Sequence, residues 1–213
     1  MKGRTAAAAG LAAAAAGWAV RDYRAWKALG PAGMPANPAG WLAVTGMRLR
    51  ARDPYTFREA GDGDVSRLLI SLDPRPGERP EVAPHPVPHR VLTQHAGPAE
   101  TVALQDAVAE LAERPGFEMR LSDWEQHHPA LSRVDGPELA HVHPSDGSAH
   151  VVLSPLDARV VVGRRWGEFH PLAGVAPALP FMPGLPAGYV LLYPPQDAAQ
   201  VARLATIVEA ATG

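Results

Sequence analysis

The run Pro144-Ser145-Asp146-Gly147 constrains this chain more than any other feature. Pro fixes φ, Asp bonds its own backbone and Gly tolerates positive φ, so the four residues are turn chemistry. Residues 138–143 (ELAHVH) and 148–154 (SAHVVLS) flank them and suit two strands. With the four residues as the loop, Ser148 faces His143 and His150 faces His141. Side chains alternate along a strand, so His141 and His143 share one face, and His150 and Ser148 join them across the ladder. Val142, Ala149, Val151 and Leu153 fall on the other face, which is apolar enough to meet a core. Three imidazoles therefore meet on one side of a hairpin. A slip of one residue would scatter them.

Ser154-Pro155-Leu156-Asp157 then reads as a helix start, with Ser as N-cap, Pro at the first position and Asp at the third. The helix is expected to run to about Trp166, with Gly167 near its end. Trp166, Phe169 and His170 follow closely, placed to return to the histidine face. Two chemistries fit this set. His-x-His with a third His on the neighbouring strand is a ligand set for Zn, Fe or Cu. The same imidazoles can serve as general bases and hydrogen-bond donors to an acidic organic substrate. His141, His143, His150 and His170 are the catalytic candidates. The base role falls to His150 or His141 and the donor role to His143 or His170. A divalent metal on His141, His143 and His150 is the alternative.

The segments AHVHPSDGSAHVVLS, GRRWGEFHPLAG and GYVLLYPPQDAAQVARLATIVEAA resemble the luciferase family of luminous fungi and its non-luminous bacterial relatives. The likeness covers the last third of the chain. It rests on the HxH, the downstream His, the WGxxHPLAG run and the YxPxxxx(E/Q) type of ending. Fainter matches upstream are an N-terminal apolar segment followed by Arg21-Asp22-Tyr23, then Gly30-Pro31, and Arg79-Pro80 with His85 nearby. The resemblance implies an oxygenase that adds O2 to a 3-hydroxy-α-pyrone, which is 3-hydroxyhispidin in the fungi. A peroxide then loses CO2 and leaves an excited product. It also implies no metal or nucleotide cofactor, with O2 as co-substrate, and so favours His as base over His as ligand. The chain departs from the family in the Pro-rich run VAPALPFMPGLPA between Gly174 and Gly188, where Phe181 and Met182 are placed to reshape a pocket.

Upstream, residues 5–20 carry no charge and are mostly Ala, with Leu11, Trp18 and Val20, between Lys2 and Arg4 on one side and Arg21, Arg24 and Lys27 on the other. This order reads as a signal anchor, with a cleaved signal peptide or a plain Ala-rich helix as alternatives. Residues 41–50 (WLAVTGMRLR) suit either a membrane surface or a short helix packed on the domain. Pro at 74, 76, 80, 84, 86 and 88 makes residues 74–88 an extended strap. His85 is the residue expected to reach from it into the pocket. Residues 65–72 read as a helix turn or strand, and 91–94 as a strand. Residues 98–113 read as a helix, 117–121 as a strand, and His127-His128 as a surface loop. Residues 188–193 form an apolar strand, and Asp197 caps the last helix.

The expected fold is α+β: a two-layer sandwich with a mainly antiparallel sheet and helices on one face, preceded by the N-terminal apolar helix. It divides into residues 1–29, a wrapping segment 30–97, and a main domain 98–213. Besides the histidines, the substrate-binding candidates are Trp166, Phe169, Asp146, Ser148, His85 and Tyr193. A hydrophobic content of 46% over 213 residues supports a real core. A formal charge of −2 without a basic, aromatic-interleaved stripe excludes nucleic acid as partner. The absence of Cys excludes disulfides, thiolate metal sites and Cys nucleophiles. No phosphate-cradling Gly loop or GxSxG elbow occurs. The partners expected are a small aromatic or pyrone substrate and, through the N-terminal segment, a membrane. The competing functions are an oxygenase of the luciferase type, a His-based metalloenzyme, and a membrane-anchored small-molecule binding protein.

Overall fold

The computed structural model describes residues 2–57, 64–125, 127–177 and 184–213. Its centre is a six-stranded antiparallel sheet. The strands are β1 (Phe117–Leu121), β2 (Pro129–Arg133), β3 (Glu138–Val142), β4 (Ala149–Val152), β5 (Gly167–Phe169) and β6 (Tyr189–Leu192), in the order β1-β2-β3-β4-β6-β5. The β3–β4 hairpin has the register set by its turn: His141 pairs with His150, and His143 N donates to Ser148 O at 2.8 Å. Gly147 holds φ 74°, the left-handed value that closes the loop.

One face of the sheet is apolar and carries the main core. Leu131, Ala140, Val142, Val151, Val190 and Leu192 meet three helices there: α3 (Pro98–Ala112), α4 (Pro155–Gly163) and α5 (Ala198–Ala210). Leu104, Val108 and Leu111 of α3, spaced four and three apart, face Leu204, Ile207 and Val208 of α5 within that core. The helix starts are chemical. Ser154 Oγ accepts from Asp157 N in α4, and Asp197 Oδ1 accepts from Gln200 N in α5. Pro at the first turn opens α3 and α4.

The other face is covered by chain from far upstream. Helix α1 (Lys2–Ala28) leads to α2 (Pro38–Met47) and a 3₁₀ turn (Arg48–Arg50). Trp26, Met34, Val44 and Met47 form a second, smaller core there, with Val87 and Leu172 packed against it. Asp22 ties this layer together, accepting from Trp41 Nε1 at 2.7 Å and Arg48 Nη2 at 3.0 Å. Trp26 Nε1 donates to Val87 O at 2.8 Å and so pins the Pro-rich strap. Residues 41–50 thus pack on the domain, while Leu42 and Leu49 stay exposed.

Several expectations need correction. Helix α4 ends at Gly163, short of Trp166, because the chain reverses at Arg165 with φ 65°. Residues 67–71 form turns, and 91 makes a lone bridge, Val82 to Val91, because the strap has no neighbouring strand to extend it. Strands β2 and β5 were not anticipated. The N-terminal segment is helical, but no described helix is long and apolar enough to cross a membrane, since Ala contributes little hydrophobicity. Phe181 and Met182 lie outside the described residues.

Candidate functional site

Register delivers the site. Ala130, His141, His150, Leu191 and Glu168 form one row across β2, β3, β4, β6 and β5, all on the face away from the main core. His143, just past β3, and Tyr189 of β6 lie on the same side. Ring centroids are 5.0 Å apart for His141–His143, 5.3 Å for His141–His150 and 4.9 Å for His143–His150. His150 stacks on Tyr189 at 4.6 Å. His89, from the strap, packs on His150 at 5.5 Å and on His170 at 4.7 Å.

The histidines form two layers. The lower layer is sealed, with His141 and His143 both 0% exposed. His141 Nδ1 bonds the carboxylate of Glu138, which also accepts from Ser122 Oγ and Asp123 N, both at 2.7 Å. Arg90 Nη1 lies 2.9 Å from His143 Nε2. A guanidinium only donates, so His143 Nε2 is the acceptor. The hydrogen of the neutral ring is then on Nδ1, which donates to Ser148 Oγ at 2.7 Å, and that hydroxyl donates to Asp146 Oδ1 at 2.7 Å. His141 Nε2 lies 3.1 Å from the same His143 nitrogen. Its other nitrogen faces a carboxylate, which accepts. Both nitrogens of His141 are engaged. Burial first, and then the Arg90 charge, holds the His143 pKa well below 6.5.

Arg90 also grips Glu125 with both terminal nitrogens. Burial acts to raise the Glu125 carboxyl, but hydrogen bonds from His128 and Arg90 and the Arg90 charge outweigh it and hold the group far below the usual carboxylate range.

The upper layer opens on a cavity of about 480 Å³. His89, His150, His170, Glu125 and Tyr189 line its polar end, and Met34, Met47, Val87, Leu172 and Leu185 are among its apolar walls. Burial first, then neighbouring imidazoles, holds the His150 pKa well below 6.5, so the ring is neutral at neutral pH. Its buried Nδ1 has no hydrogen-bond partner among the described residues. His170 Nδ1 accepts from Leu172 N at 3.0 Å. Tyr189 is held protonated, chiefly by burial.

Of the residues singled out from sequence, His150 and His170 line the cavity, and His141 and His143 lie beneath it. Trp166 and Phe169 do not form its wall. Strand alternation turns Phe169 into the main core, and Trp166 joins it there, with Nε1 donating to Asp73 O at 2.7 Å. Asp146 and Ser148 support His143 from below. Tyr193 is buried against Glu168, with its OH donating to the carboxylate at 2.9 Å. His85 turns away from the cavity to Asp22 at 3.2 Å, and His89 takes the place expected of it. His128 of the supposed surface pair packs 6.0 Å from His141 and 3.2 Å from Glu125, while His127 stays exposed at the cavity edge. Sequence reasoning also passed over Glu138, Glu125, Arg90 and Glu168. Glu138 reaches the histidine side through the irregularity opposite Leu131 and Ser132, against the alternation that groups it with Ala140 and Val142, and Glu168 lies on β5, which is too short to show a period. Arg90 and Glu125 come from irregular chain, where no period points inward.

Ligand atoms of Glu125, His141, His143 and His150 lie within 4.8 Å of one another, close enough to share a metal ion. Arg90 competes for that place, because it already binds Glu125 and the Nε2 of His143. A cation entering there would meet a guanidinium and need two of its four ligands released.

An antiparallel α+β sheet with a histidine-lined cavity on the face away from its main core therefore defines the class of protein. Residues 136–211 match the luciferase domain model. The chain is 28% identical to luciferases of Armillaria ostoyae and Armillaria mellea over 227 aligned residues, spanning 91% of this chain and 80% of each relative. It is 27% identical to the luciferase of Neonothopanus nambi over 231 residues, spanning 91% of this chain and 79% of that protein. No solved structure matches it. Over most of its length, then, the chain is similar to fungal luciferases.

Proposed function

We propose that the chain is a luciferase-like oxygenase that adds O2 to a 3-hydroxy-α-pyrone of the 3-hydroxyhispidin type. The observation that carries this reading is the meeting of His89, His150 and His170 in a cavity whose remaining lining is mostly apolar. A flat, acidic enol suits that shape: an apolar body against Met34, Met47 and Val87, and a hydroxyl and carbonyl at the imidazoles. His141, with both nitrogens engaged and no access, is not the base. His150 lines the cavity in neutral form and accepts the enol hydrogen bond in this scheme, and His170 beside it holds the carbonyl and the forming peroxide oxygen. The chain's part is to remove a proton, because the enolate is electron-rich enough to reduce O2 and form the C–O bond. The peroxide then loses CO2. A donor at a developing oxyanion is worth about 2.7–4 kcal/mol. No metal or nucleotide takes part in this scheme, and O2 is the oxidant.

Oxygen uptake and CO2 release with an aryl-substituted 3-hydroxy-α-pyrone test the proposal, with photon counting as a separate readout. Stoichiometric uptake by metal-free protein is expected. The metalloenzyme reading rests on the four converging donors. Near-stoichiometric Zn, Fe, Cu or Ni in protein purified without a His tag, with activity lost on its removal, would replace the first reading by the second.

We further propose that α1 associates with a membrane. Leu11, Trp18 and Val20 are exposed on it, ahead of Arg21, Arg24 and Lys27. Full-length protein should pellet with membranes, and a form beginning near Ala28 should not. Equal solubility of the two forms would count against the association.

A further inference from the structure

A pocket that ionises an enol needs a holder for the proton. Among the described residues no carboxylate hydrogen-bonds His150 to balance a proton there, whereas Glu168 bonds His89. His89 is built differently, and it was not among the residues singled out from sequence. It is 2% exposed and lines the cavity. Its Nε2 lies 3.1 Å from Glu168 Oε1. The carboxylate is fixed on its other oxygen, which accepts from Tyr193 OH at 2.9 Å and Tyr55 OH at 3.0 Å. Burial works to raise the Glu168 carboxyl, but the bonds from His89, Tyr193 and Tyr55 outweigh it, so Glu168 is an anion. An anionic carboxylate only accepts, so His89 Nε2 is the donor, and the Nδ1 of the neutral ring keeps its lone pair. That Nδ1 is buried and has no partner among the described residues. Glu168 from β5, His150 from β4, His170 after β5 and Tyr55 and Tyr193 behind the carboxylate are the titratable groups around it, and the neighbouring Arg90 turns away to Glu125.

We propose that His89 is the catalytic proton acceptor of this pocket and that Glu168 is its positioning residue. The O–H bond of the bound enol breaks, an N–H bond forms at His89 Nδ1, and the electron pair stays on the enolate. Glu168 supplies the charge that balances the new imidazolium, and His150 orients the enol as a neutral wall. The inference rests on the acidic-enol reading of the same cavity.

The test separates ionisation from oxygenation. Full-length protein is mixed with an aryl-substituted 3-hydroxy-α-pyrone without oxygen, below the pH at which the free probe ionises. Absorbance then reports enol or enolate in the bound state, and O2 uptake is followed after air is admitted. Wild type should bind the enolate. His89→Ala should bind the neutral enol and lose about 10²- to 10⁴-fold in turnover, the usual worth of a positioned base. That deficit should shrink above the probe's own ionisation, where no base is needed. A structural defect would give the same deficit at every pH. Glu168→Gln keeps the shape and should show a smaller loss with the same narrowing, and it decides the matter if His89→Ala fails to fold. Enolate bound by both variants at wild-type turnover overturns the dyad while the oxygenase reading stands. Enolate bound by wild type but not by His89→Ala, with no O2 uptake by either, supports the dyad and removes the oxygenase reading. Failure of folded wild type to bind the probe overturns both.

Discussion

Replacing Arg90 by Met tests how the sealed layer is held. Arg90 is 3% exposed and Glu125 6% exposed. Their double contact is the main reason the Glu125 charge is tolerated out of water, with His128 at 3.2 Å as the remaining partner. Met keeps the apolar stem but removes five donors, including the one on His143 Nε2. Removing one member of a buried pair costs about 3–5 kcal/mol, because the other charge stays buried. For a chain of this length each kcal/mol lowers Tm by about 2–4 °C. Thermal unfolding followed by circular dichroism should therefore show a loss of roughly 6–20 °C by the same arithmetic. The double variant Arg90→Met, Glu125→Leu should recover most of it, since no charge is then stranded. The single variant should also gain a zinc site, seen as a zinc-dependent rise in Tm that wild type lacks. A single variant melting within about 2 °C of wild type, below the range just derived, would refute the argument that Arg90 neutralises this layer. So would zinc raising the wild-type Tm equally.

Acid should destabilise the protein in two windows. The folded-state pKa values of His143 and His150 lie below the unfolded value of 6.5, so each contributes stability that is complete above 6.5 and falls by about 1.4 kcal/mol per pH unit below it. Glu125 and Glu168 add a second loss below their unfolded value of 4.5. A Tm that is flat from pH 7 to pH 5 would contradict the first. His150→Ala should abolish turnover of a 3-hydroxy-α-pyrone with the circular dichroism spectrum unchanged, and wild-type rates would make the residue structural. Trp166→Ala should cost about 3–5 kcal/mol in denaturant melts and leave the KM of the remaining folded enzyme unchanged. A raised KM at unchanged stability would return Trp166 to the cavity wall.

The sheet half of this molecule was legible because strands have a strict period. One turn, PSDG, fixed the register, and parity then placed His141, His143 and His150 together. The same parity rule sends Glu168 to the histidine side and Phe169 to the core once β5 is a strand. Its three residues are too short to show a period, so the sequence alone points Phe169 to a cavity wall and gives Glu168 no side. Trp166 went the same way, because an indole near a histidine invites a pocket while its buried N–H needed only Asp73 O. The strap was less legible still. Extended Pro-rich chain has no fixed face, so nothing in residues 85–90 says that His89 and Arg90 turn in while His85 turns to Asp22.

The two layers divide the work between parts of the chain with different freedom. The sealed layer is set by backbone register, and each of its hydrogen bonds fixes the next: Asp146 orients Ser148, Ser148 and Arg90 fix the His143 tautomer, and His143 with Glu138 fixes His141. Such a network has little room for an alternative, because breaking one bond strands a buried polar group at a cost of about 1–3 kcal/mol. The cavity walls above it come from α2, the strap and the segment after β5, which meet through apolar contacts among Met47, Val87 and Leu172. Apolar walls accept changes of shape far more readily than a hydrogen-bonded layer does. The electrostatics of the site are thereby rigid, while the outline of the substrate is set by side chains that can be exchanged without disturbing them.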